Sequence, residues 1–194
     1  CLHRAPQATA PVNHSVLHVQ SMAEEVFGRL VVAVGSGNER SVRKLLAAYP
    51  QLAERRFGYW QRTLLHEAAI RGQTRIACLL LEAAPATATA GSRRGSTPLH
   101  CAAGNGNAGI ALLILEACPS AAAATTSYGL TPLHYAAQSG SVEVARLLLS
   151  HAPEAALAVD HSGAAPLHHA AALDCGGEEA VAMVQLLVQS APAT

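Results

Sequence analysis

Thr131-Pro132-Leu133-His134-Tyr135-Ala136-Ala137 is the stretch that decides the fold, because the chain repeats it in four versions. Steps of 34 residues lead back to Thr97-Pro98-Leu99-His100-Cys101-Ala102-Ala103 and Thr63-Leu64-Leu65-His66-Glu67-Ala68-Ala69, and forward to Ala165-Pro166-Leu167-His168-His169-Ala170-Ala171. After each of the first three comes a glycine (Gly72, Gly106, Gly140), then a leucine-rich segment such as Val144 to Leu149, then a proline (Pro85, Pro119, Pro153). A further copy lies upstream without the signature: Leu30-Val31-Val32-Ala33-Val34, then Gly37, Leu45-Leu46 and Pro50. A fixed period of this length marks stacked units, each too small to hide its own apolar face.

The residue types fit helices. Apolar residues make up 51% of the chain but aromatics only 4%, and alanine supplies much of the remainder. Such a core suits closely packed helices better than a sheet, where β-branched and aromatic residues prevail. Thr63, Thr97 and Thr131 stand where a helix cap is worth about 1 kcal/mol. Pro98 and Pro132 follow at the position where a helix has no use for an N–H. The leucine and the alanine pair give one apolar face, and small alanines let neighbouring helices approach. His66, His100, His134 and His168 recur at every helix start, as a side chain bridging nearby backbone groups would; a catalytic base has no need to recur.

These residues resemble the ankyrin family, whose repeat of about 33 residues carries T-P-L-H-x-A-A, a short turn and a second helix. The resemblance covers residues 27–194 and implies an all-α ankyrin-repeat solenoid of helix–turn–helix units with projecting hairpin loops. Repeats then fall at about 27–62, 63–96, 97–130, 131–164 and 165–194, within a domain spanning 21–194. Residues 1–20 read as a poorly ordered tail, and Ser21-Met22-Ala23-Glu24 as a capping box opening a helix towards Val34. Departures from the pattern carry expectations too. Leu64 replaces the proline, and Ala165 replaces the capping threonine, so the last repeat should start less firmly. Ala-Pro or Cys-Pro stands where the family ends its second helix with glycine, and about five extra residues around Asp174 to Glu178 should protrude from the last repeat. A start on Cys1, and the leucines and valines of the last helix, are what a fragment of a longer chain would show.

Several chemistries are disfavoured. Gly104-Asn105-Gly106-Asn107-Ala108-Gly109 spells GxGxxG, but falls between two helices of a repeat and not after a strand. His66-Glu67-Ala68-Ala69-Ile70 lacks the second histidine of a zinc-protease helix. The C-terminal histidines follow the repeat and not a ligand spacing, so no metal, cofactor or catalytic residue is expected. The five cysteines show no CxxC spacing, and no signal peptide is visible. The most apolar stretch, Ile110 to Leu115, is stopped by Glu116 and Pro119, far short of a membrane span. An intracellular protein, cytoplasmic or nuclear, with reduced thiols is the expectation. Its formal charge of zero hides a gradient: residues 27–96 carry eleven Lys/Arg against four acids, whereas 97–194 carry one against seven.

The resemblance further implies binding on a concave side, through the finger loops and the ends of the first helices. On this sequence those positions are Tyr59, Trp60, Arg62, Arg93, Arg94, Tyr128 and Leu130 in the fingers, and Ile70, Arg71, Asn105, Gln138 and Ser139 on the helices. Trp, Tyr and Arg dominate binding hot spots, and they concentrate in the first two fingers. The expected partner is another protein with an acidic surface or segment, held by a monomeric, non-enzymatic scaffold. Alternatively Trp60 folds back over the degenerate first repeat and the arginines are merely solvated. Nucleic acid fits poorly, since the acidic half repels phosphate and no motif supports it. The rival role is a targeting or regulatory segment of a larger enzyme, channel or ubiquitin-ligase component.

Overall fold

The structure, a computed structural model, describes residues 14–172 and 178–190, with side chains from residue 22 onward. Its helices come in consecutive pairs. The first members are α1 (His14–Gly35), α3 (Leu64–Arg71), α5 (Pro98–Gly104), α7 (Pro132–Ser139) and α9 (Pro166–Ala171). The second members are α2 (Glu39–Ala48), α4 (Thr74–Ala83), α6 (Ala108–Ala117), α8 (Val142–His151) and α10 (Glu178–Ser190). Each first helix packs on the next first helix and each second on the next second, so the chain forms two parallel rows. Among the described residues the only strand-type pairing is a single bridge between Phe57 and Arg62.

Alanine pairs explain the close spacing. Ala68, Ala69, Ala102, Ala103, Ala136 and Ala137 are all fully buried, as are Leu65, Leu99 and Leu133 in the same rows. Leu64, in the proline's place, is buried too. Leu167 of the last repeat is only half-buried among the described residues.

The second helices end without a left-handed residue. Tyr49, Ala84, Cys118 and Ala152 leave the helix at φ between −140° and −152°, each followed by a proline that opens a 3-10 turn. A residue before proline is sterically pushed out of the helical region, so the proline does the work that glycine does elsewhere.

The signature histidines tie the start of each first helix to the residue that closes the same repeat, just before the next signature. His66 Nδ1 accepts the Thr63 backbone N–H at 3.1 Å, which leaves the ring proton on Nε2, and Nε2 donates to the Ser96 carbonyl at 2.9 Å. His100 does the same between Thr97 and Leu130, and His134 between Thr131 and Ala164. Each ring therefore closes the reciprocal pattern of a capping box and holds the end of its own finger, at the entry to the next signature. Burial pushes the pKa of His66 and of His100 down to about 4, and lowers that of His134. At the last repeat the Ala165 N–H still bonds His168 Nδ1 at 3.0 Å, but Ala165 has no hydroxyl to add.

Two readings of the N-terminal end change. Helix α1 begins at His14, seven residues before the start at Ser21 that the capping box suggested. No proline or glycine lies between Pro11 and Gly28, so nothing in the sequence stops the helix there. Residues 1–13, part of the expected tail, lie outside the described residues, as does most of the expected insertion (173–177). The first repeat is covered by Phe57 and Arg55, and not by Trp60. Phe57 meets Phe27 edge-on at 6.1 Å, and the Arg55 guanidinium lies 4.5 Å from the Phe27 ring while pairing with Glu24.

Candidate binding groove

The finger loops stand in a row and are tied together by single backbone hydrogen bonds. The Arg93 N–H donates to Trp60 O, Ser127 N–H to Arg94 O, and His161 N–H to Tyr128 O, at 2.8 to 3.0 Å. Each finger is thus held against the next at the same place. Gly95 permits one of these approaches: its φ is +74°, and a Cβ there would come within 3.3 Å of the Thr126 backbone.

The same register stacks side chains. Trp60, Arg94 and Tyr128 are 34 residues apart, and the Arg94 guanidinium carbon lies 4.6 Å from the Trp60 ring centre and 5.8 Å from that of Tyr128. Arg93 lies 4.7 Å from the Tyr59 ring in the parallel file, and Tyr59 meets Trp60 edge-on at 5.1 Å. Trp60 remains 37% exposed, Tyr128 51% and Tyr59 70%. Cation–π contact of this kind is worth about 0.5–1 kcal/mol at exposed sites, which restrains a surface arginine in part.

Beneath the fingers runs a groove of about 600 Å³ against the ends of α3, α5 and α7. Of the residues expected to bind a partner, it gathers Trp60, Arg62, Ile70, Arg94, Asn105, Gln138 and Ser139. Tyr59, Arg93, Tyr128 and Leu130 lie along the fingers outside it. Arg71 is not available to it in the same way, because Glu67, one turn earlier on α3, takes its guanidinium at 2.5 Å. Arg62 and Arg94 enter no ion pair among the described residues, and no acidic side chain lines the groove.

The groove floor includes residues that periodicity did not single out: Cys101, Gly104 and Tyr135. Cys101 and Tyr135 occupy the variable position between histidine and alanine in the signature. Tyr135 leans edge-on against His100 at 5.2 Å, and Gly104 makes room for it, since a Cβ would meet the ring at 3.2 Å. Burial raises the Cys101 thiol pKa, so the thiol stays protonated at neutral pH. Its position could have been read from the signature, whose variable residue must face outward if its neighbours face the core.

A family model for ankyrin repeats in three copies matches residues 30–123 and 118–193. The chain belongs to the ankyrin-repeat family. Ankyrin repeats are in general protein–protein interaction modules. A search of curated proteins finds no match to the sequence. No helix among the described residues is long and apolar enough to cross a membrane.

Proposed function

We propose that this ankyrin-repeat chain is a non-enzymatic scaffold that holds an acidic segment of another protein in the groove beneath its first three fingers. One observation carries the reading: Arg62 and Arg94 line a groove that contains no acid, so their charge is available to a partner. Trp60, stacked and part-exposed beside them, has the character of an anchor that loses little side-chain entropy on binding. The protein acts as a monomer inside the cell in this reading. Arg71, already paired with Glu67, and Arg93, which lies outside the groove, contribute less.

The test is affinity for a partner recovered with the wild-type chain. Trp60→Ala and Arg94→Ala each weaken it about 10-fold or more, the effect of losing a hot-spot residue. His161→Ala, in the last finger, leaves it unchanged. Equal affinity of all four proteins contradicts the site.

A further inference from the structure

We infer that the anionic group seated between Arg62 and Arg94 is a phosphoryl group on the partner, so that binding depends on phosphorylation; this rests on the groove reading above. The stacking of Arg94 is the first reason. Its guanidinium carbon lies 4.6 Å from the Trp60 ring centre and 5.8 Å from that of Tyr128, and none of its N–H donors is hydrogen-bonded among the described residues. A guanidinium restrained by these rings presents a planar fork that matches two oxygens of one ligand group.

Charge is the second reason. Arg62 is half-buried, shares the groove with Arg94, and is likewise without an ion pair or side-chain hydrogen bond among the described residues. Two cations that lack any acidic neighbour in the groove match a group of charge near −2, whereas one carboxylate would leave a half-buried arginine uncompensated. Donor number is the third. The Ser92 hydroxyl and the Gln138 amide line the same space with no internal hydrogen bond among the described residues. Together with the two guanidiniums they suit a group with three terminal oxygens better than one with two. The groove also lies in the basic half of the chain, where residues 27–96 carry eleven Lys/Arg against four acids.

Three pools of fluorescent peptides test this, degenerate in sequence and fixed at the centre as phosphoserine, glutamate or serine, titrated by anisotropy with the full chain at 0.15 M salt. The phosphoserine pool binds about 10-fold tighter than the glutamate pool, and the serine pool is weakest. Arg62→Ala and Arg94→Ala each remove that preference. Arg94→Lys keeps the charge but not the fork, and loses most of it. Thermal unfolding of the variants stays near that of the parent, because Arg94 loses only exposed cation–π contacts and Arg62 has no ion pair or side-chain hydrogen bond among the described residues. Equal binding of phosphoserine and glutamate pools, both sensitive to Arg94→Ala, overturns the phosphoryl inference and leaves the acidic-partner reading standing. Binding indifferent to Arg94→Ala, or no phosphoserine binding above serine, overturns the inference; indifference overturns the groove reading as well.

Discussion

Arg94 and Asp160 stand in the same row of fingers and handle their charge in opposite ways. The Arg94 guanidinium lies against the Trp60 and Tyr128 rings and makes no hydrogen bond or ion pair among the described residues. The Asp160 carboxylate is saturated by its own loop and the helix that follows it, through the Ser162 N–H and hydroxyl, the Ala164 N–H and His169 Nε2. Those bonds hold its pKa well below the usual carboxylate range. A charge spent on shaping its own loop is of little use to a ligand. The row therefore offers its cations near the first repeats and keeps its anion to itself near the last.

The same contrast between the middle and the end of the stack runs through the signature. His66, His100 and His134 are buried and each bond the carbonyl of the residue just before the next signature, whereas His168 is exposed and, among the described residues, bonds only the Ala165 N–H. One motif thus has two energetic weights, set by how deeply the ring is covered.

Acid should expose this difference most strongly. His66 and His100 titrate near 4 in the folded chain and near 6.5 unfolded, so the unfolded state binds more protons between those values and stability falls as pH drops through them. From pH 7 to pH 5 each loses the fold about 2 kcal/mol, read as a lower urea midpoint. His134 adds to the loss in the same direction. Asp160, held ionised by a depressed pKa, contributes nothing over that window. Unchanged urea midpoints at pH 7 and pH 5 would show that the buried rings are not neutral bolts.

Core truncation comes next. Leu133→Ala, at a fully buried position, costs about 3 kcal/mol, whereas Leu167→Ala in the half-covered last repeat costs about 1 kcal/mol. Equal losses in urea unfolding would mean that α9 is as well packed as α7. Removing a ring is a smaller change. His134→Ala strands the Ala164 carbonyl and the Thr131 N–H for about 2 kcal/mol, while His168→Ala costs under about 1 kcal/mol. The smallest effect is a gain. Ala165→Thr supplies the hydroxyl that the last helix lacks and stabilises by about 0.5–1 kcal/mol, measured as a rise in the same midpoint.

The stack itself was legible in the sequence because it depends on what recurs: the threonine cap, the leucine, the histidine, the alanine pair and the proline. The groove was legible only in part because binding depends on what varies. Cys101, Gly104 and Tyr135 differ from their counterparts in other repeats, so a search for the period passes over them, although they help line the groove. Arg71 was taken for a binding residue although Glu67 stands four residues before it, the spacing at which helical charges meet. The Trp60–Arg94–Tyr128 stack was present in the numbering, at two steps of 34, but reading it required knowing that fingers align by their backbones. The start of α1 was missed because a capping box marks where a helix can begin, not where an unbroken run of helix-compatible residues has to.

Hydrogen exchange on the chain with its partner bound puts the central claim to the most direct trial. Partner-dependent protection should gather in residues 57–62, 92–96 and 126–130 and spare 160–164. Protection centred on the last finger, or spread evenly along the row, would contradict it.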